Sequence, residues 1–171
     1  MDDPADSVAR KARFELLCGR LRPDLYRFAF WLARDRAVAE DVVQDTLLRA
    51  WRSFGSLGAE AAVRPWLLTI VRREFARRFE RKRFETVDID DLEALGQPEL
   101  AAADVEAVAD LRAAIFALAP DYREPLVLQV LMGYSTEEIA RHMGLSAGAV
   151  LTRLFRARHK LRALVAVGES P

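Results

Sequence analysis

Thr152, Arg153, Phe155 and Arg156 stand within five positions near the C-terminus of the chain. On one helix face, residues of these types can read duplex DNA. A guanidinium such as that of Arg156 donates to guanine N7 and O6, a ring such as that of Phe155 touches a thymine methyl, and flanking cations hold phosphates. A solvated basic helix is the plainer use of the same charges, but a Phe among arginines fits it poorly. Upstream, Trp66 and Ile70 share a helical stripe with Arg73, Arg77 and Arg81. An aromatic ring among cations suits melted nucleic acid, where bases stack on the ring and cations follow the phosphates; the alternative is a core Trp beside ordinary surface arginines. A third set, Asp41, Gln44, Asp45 and Leu48 with Arg52, makes an acidic face with an apolar residue in it. Taken alone, this face fits either plain solvation or docking of a basic partner.

Nothing in the chain is arranged for catalysis. No nucleophile stands beside a base, no glycine loop is built to cradle phosphate, and no carboxylates have catalytic spacing. Cys18, His142 and His159 are too scattered for metal-ligand spacing, so neither metal nor cofactor is expected. The lone Cys18 reads as a packing residue and His159 as a surface one. The N-terminal stretch is too charged for a secretion signal, and the apolar runs are too short to span a bilayer. The expected location is the cytoplasm, with no membrane insertion.

The elements that carry these sets are legible from periodicity. Apolar residues recur at the helical period from Phe14 to Phe79 and from Val105 to Leu164, without strand-like alternation, so the fold class expected is all-α. Ser135-Thr136-Glu137-Glu138 is a capping box that starts a helix, and Gly144 suits its left-handed end. Ser146 then caps a longer helix. A short helix, a glycine turn and a longer helix make a helix-turn-helix, with Leu126 to Leu131 supplying a helix for it to pack on. On the last helix Val150, Leu154, Ala157 and Leu161 form the buried stripe, which leaves Thr152, Phe155, Arg156 and His159 facing outward. Upstream, Ala39, Val42, Val43, Leu47 and Ala50 form the core side of one helix. Pro65 sits in the first turn of the next, whose core face is Leu67, Val71, Phe75 and Phe79.

The net charge is zero, with 26 basic and 26 acidic residues, but the charges are segregated. Arg72 to Arg83 is strongly basic, and Ile139 to Gly168 carries basic residues and no acidic ones. Between them, from Glu85 to Asp110, acids occur with no Lys or Arg. Thr86 to Ala103, with Gly96, Pro98, small residues and acids, has little to bury and reads as a flexible tether. Residues 1–84 are thus expected to be one helical domain, 85–104 an acidic linker and 105–171 a helix-turn-helix domain.

In this order the motifs resemble the extracytoplasmic-function (ECF) sigma factors, promoter-recognition subunits of bacterial RNA polymerase. LYRFA (Leu25 to Ala29) followed by AEDVVQDTLLRAW (Ala39 to Trp51) is similar to the family's polymerase-docking region. RPWLLTIVRREFARR (Arg64 to Arg78) resembles its −10 helix, and YSTEEIARHMGLSAGAVLTRLFRAR (Tyr134 to Arg158) its −35 reader. The resemblance implies that Asp41, Gln44, Asp45 and Leu48 dock on the coiled coil of the largest subunit of core RNA polymerase. It implies that Trp66, Arg73 and Arg77 lie along the melted −10 strand of promoter DNA, with Phe54 to Val63 as a loop that captures a flipped base. Thr152, Arg153, Phe155 and Arg156 would serve the −35 element, the acidic linker would thread the nucleic-acid channels of the polymerase, and an anti-sigma factor would sequester the protein. Two positions depart from the pattern: the family often carries Asn where Arg73 stands, and Lys or Arg where Leu151 stands. The rival class is a stand-alone helix-turn-helix regulator with an N-terminal dimerisation or ligand domain, which would bind duplex DNA without polymerase.

Overall fold

The computed structural model describes residues 4–56, 62–84 and 102–168. The chain falls into two compact units, Met1–Ile89 and Asp90–Pro171. Among the described residues every regular element is helical.

The first unit packs three helices, α1 (Pro4–Ala33), α2 (Arg36–Ser53) and α3 (Val63–Phe84), each against the other two. The helix α1 begins at Pro4, well before Phe14 where the apolar period begins; residues 7–13 are exposed, so no apolar period marks that stretch. Arg34, at φ 63°, makes the left-handed turn after α1, its amide donating to the Phe30 carbonyl at 2.8 Å. Asp35 then caps α2, its Oδ1 accepting from the Val38 amide at 2.8 Å. Leu25, Phe28, Val42, Val43, Leu67, Leu68 and Val71 fill the centre and are almost wholly removed from water. Ala39 and Ala50 are buried as the helical period requires, whereas Leu47 is half-buried and Thr46 takes a fully buried place. A short 3-10 turn, Phe54–Ser56, follows α2, with the Phe54 ring packed edge-on against Phe14 at 5.0 Å.

Cys18 lies in this unit with only 7% of its surface exposed, and burial pushes its thiol from the ordinary 9.0 up to about 11. The neutral thiol is the buried form. Its contribution to stability is therefore complete below pH 9.0 and is lost as pH climbs from there towards about 11. Maleimide labelling at about pH 8 is expected to be slow in the native protein and fast in denaturant. Equal rates in the two conditions would remove Cys18 from the core.

The second unit contains α4 (Ala102–Ala117), α5 (Pro120–Val130), α6 (Thr136–Met143) and α7 (Ala147–Gly168). The first of these begins at Ala102, ahead of Val105 where the second domain was expected to start, so 102–104 are helical. The rest of the expected linker, 85–101, lies outside the described residues. Pro120 opens α5 at a first-turn position. Arg123 is buried and donates from Nη1 to the carbonyls of Phe116 at 2.9 Å and Leu118 at 3.2 Å, satisfying groups at the end of α4. The helix-turn-helix has the expected local geometry. Ser135 Oγ accepts from the Glu138 amide at 3.2 Å, and the Glu138 carboxylate accepts from the Ser135 amide at 2.8 Å. Gly144 closes α6 at φ 66°, ψ 38°, and Ser146 Oγ accepts from the Ala149 amide at 3.2 Å to start α7. Leu128, Ile139, Val150, Leu154 and Ala157 form the core that holds α7 against α5 and α6, while Leu161 is half-buried.

Candidate nucleic-acid interface and docking surface

Because Val150, Leu154 and Ala157 must face the core, the opposite side of α7 is turned to solvent. Thr152, Phe155 and Arg156 are all exposed, Phe155 with 71% of its surface open. The Thr152 hydroxyl donates to the Gly148 carbonyl at 3.0 Å. Its proton is thus committed to its own helix, leaving a methyl and an acceptor oxygen on the open side. Arg153 is less open than the other three, with Nη1 3.3 Å from Asp121 Oδ1 on α5. Further along, Arg158 donates to Gln129, and the Lys160 ammonium lies 5.5 Å from the centre of the Tyr122 ring. Arg156 and Arg162 make no hydrogen bond or ion pair among the described residues. Several of the flanking cations of α7 therefore steady the unit, and Arg156 is the cation in the front half that makes no such contact among the described residues.

On α3, the expected core residues Leu67 and Val71 are buried and Phe75 is half-buried; the side chains of Phe79 and Arg81 lie outside the described residues. The expected reading stripe needs one correction. Ile70 is buried with Leu68 in the core, because α3 packs on both α1 and α2 and so buries a wider arc than one stripe. Trp66 remains half-buried and Arg73 exposed. Arg77 is exposed but holds Glu74, with Nη1 3.5 Å from Oε2. Arg49 of α2 brings Nε to 2.6 Å from Oε1 of the same carboxylate. Glu74, only 5% exposed, is thus a buried acid held between two arginines, and Arg77 has a structural partner as well as an open flank. Of the expected base-capture loop, Phe54 is buried and 57–61 lie outside the described residues.

The outer face of α2 presents Asp41, Gln44 and Leu48 to solvent, Leu48 with 58% of its surface exposed, and Asp45 is half-exposed. The two carboxylates are one helical turn apart and share a cation that sequence reasoning did not identify. Arg78 of α3 donates from Nη1 to Asp41 Oδ2 at 2.9 Å, and from Nε and Nη2 to Asp45 Oδ2 at 3.3 and 3.2 Å. All three side chains are partly exposed, so the pairs add little to stability. Their effect is geometric: they hold the two carboxylates side by side.

Two helical units, one ending in a helix-turn-helix with an exposed basic face, define a DNA-binding transcription protein. Residues 17–85 match the family model of sigma-70 region 2, and residues 109–161 that of sigma-70 region 4. The chain is 36% identical over 149 residues to the ECF RNA polymerase sigma factor EcfG of Rhodopseudomonas palustris, covering 85% of this chain and 81% of that protein. It is 36% identical over 143 residues to the ECF sigma factor SigL of Mycobacterium tuberculosis, covering 81% and 80%. Among solved structures it is similar to the sigma factor RpoE in complex with the anti-sigma factor NepR from Bartonella quintana, with a TM-score of 0.78, 31% identity, and 91% and 98% of the two chains covered. It is also similar to CnrH in complex with the cytosolic domain of CnrY, with a TM-score of 0.68, 28% identity, and 94% and 91% covered. The chain belongs to the ECF RNA polymerase sigma factors. Its function is to direct promoter-specific initiation of transcription. Among the described residues, no helix is long and apolar enough to cross a membrane.

Proposed function

We propose a division of labour within this sigma factor. Residues 1–84 dock on core RNA polymerase and hold the melted −10 element, 85–104 link the domains, and 105–171 read the −35 element as duplex. The observation that carries this reading is chemical segregation: the exposed Asp41 and half-exposed Asp45 lie in the unit matched by region 2, and the exposed Phe155 and Arg156 in the unit matched by region 4. An acidic face with Leu48 at its centre complements a basic coiled coil on the largest polymerase subunit. Trp66 offers a ring to unstacked bases, and Arg73 and Arg77 offer charge to the strand. On α7, Thr152, Phe155 and Arg156 meet base edges, and Arg153 reaches a phosphate by leaving Asp121.

The polymerase supplies the chemistry, and this chain acts in the cytoplasm as a specificity subunit without enzymatic activity of its own. The RpoE–NepR and CnrH–CnrY complexes support a regulator of the same kind here, an anti-sigma factor that covers the surfaces used for polymerase. The stand-alone regulator is disfavoured because a region 2 match fills the place where a ligand or dimerisation domain would be needed. Transcription of a promoter library by purified core polymerase, with and without this protein, tests the proposal. Promoter-specific initiation that requires the protein is expected. Tight, specific binding to duplex DNA without polymerase, and no gain in initiation, would instead establish the stand-alone regulator.

A further inference from the structure

We propose that Leu151 and Phe155 form an apolar pair that selects thymine, through its 5-methyl group, in the −35 element. The inference rests on the reading of α7 as the −35 helix and says which base chemistry that helix prefers.

Leu151 is 57% exposed and Phe155 is 71% exposed, and they stand one turn apart on the front half of α7. Side chains at this spacing lie on one face and touch the same patch of any partner. Neither is needed by the core, which Val150, Leu154 and Ala157 already fill. The first turn of α7 is Ala147, Gly148 and Ala149, so no long side chain stands between this end of the helix and a groove floor. The thymine methyl is the apolar group that a base pair presents in the major groove; the other features of the base edges are donors and acceptors. An exposed apolar pair on a groove-reading helix therefore has one complementary target.

The neighbouring side chains sharpen the choice. Thr152 has committed its hydroxyl proton to Gly148, and Arg153 must leave Asp121 before its Nη1 can donate to DNA. Arg156 is the uncommitted donor in this half of the helix and lies on the flank away from Leu151. The reading surface thus has an apolar side for thymine and a cationic side for guanine or phosphate.

The test uses the full chain with core polymerase on duplex templates randomised upstream of the start site. One set is made with thymine and a matched set carries deoxyuridine in the upstream element, which removes the methyl and keeps every hydrogen-bonding group. Thymine is expected to be enriched at one or more upstream positions. Deoxyuridine at those positions should lower initiation about fourfold per methyl, the loss set by one buried methyl-sized group. Leu151→Ala and Phe155→Ala should each shrink the difference between the two template sets, and the double variant should erase it. Both side chains are exposed, so these variants fold, which thermal melting checks. Equal initiation by the unaltered protein on both template sets overturns the proposal. So does an equal loss by the variants on both sets, which would assign the apolar pair to a protein partner. An absence of any upstream sequence preference would reject the −35 reading itself and the proposal with it.

Discussion

Asp41→Lys combined with Asp45→Lys is expected to abolish binding to core polymerase, a loss of at least about a hundredfold, while affinity for duplex DNA stays unaltered. The size follows from two effects of the same sign. The change removes both carboxylates proposed to face the polymerase, and it sets two new cations beside Arg78, which now bonds to Asp41 and Asp45 at 2.9 to 3.3 Å. A face that attracts a basic coiled coil becomes one that repels it, and like charges brought together across an interface cost several kcal/mol on the order of magnitude usually found. Asp41→Asn with Asp45→Asn keeps the shape and removes the charge, so an intermediate loss is expected. Arg78→Gln separates the two contributions of the site, because it leaves the acids in place and takes away the group that aligns them. Titration of labelled protein with core polymerase measures all three. Loss of polymerase and DNA binding together, with a collapsed melting transition, would mean misfolding and would sink the docking assignment.

The second large effect is expected from Trp66→Ala with Arg73→Ala. Stacking of one base on an aromatic ring is worth about 1–3 kcal/mol, and a strand phosphate contact adds to it, so open-complex formation should fall by about a hundredfold. Trp66 is half-buried and Arg73 exposed on a helix whose core positions, Leu67, Leu68, Ile70 and Val71, remain intact. The unit should therefore stay folded. A template melted in advance over the −10 element decides what the two residues do. If they hold the separated strand, the defect persists on that template; full rescue would show that they act only in opening the duplex, and the strand-holding role would fall. Arg77→Ala is expected to be less informative about DNA, since Arg77 also lies 3.5 Å from the buried Glu74.

Much of the second unit was legible because its signals are local. Ser135, Glu138, Gly144 and Ser146 act on backbone groups within a few residues of themselves, so type and spacing suffice to place two helix ends and a turn. The burial of Val150, Leu154 and Ala157, and the exposure of Thr152, Phe155 and Arg156, followed from one period on one helix. In the first unit the same arithmetic placed Ala39, Val42, Val43 and Ala50 correctly, whereas Leu47, assigned to the same side, is only half-buried. It misplaced Ile70, because α3 meets two helices and one stripe underestimates the arc they cover. It passed over Thr46 and Glu74, since a polar type gives no sign of burial until its neighbours are known.

The acidic face of α2, the aromatic and cations on α3 and the basic outer face of α7 were determined by the sequence itself, through helical period, capping chemistry and charge placement. Only the tertiary structure decided which of those charges are engaged. Arg78 lies 33 and 37 residues from the carboxylates it holds, and Glu74 meets Arg49 across the interface of two helices. Asp121 and Gln129 take Arg153 and Arg158 in the same way from α5. An ion pair depends on where two helices bring their side chains, which no local periodicity encodes. That selection leaves Arg156, next to Phe155, without a hydrogen bond or ion pair among the described residues, on the face of α7 proposed to meet DNA.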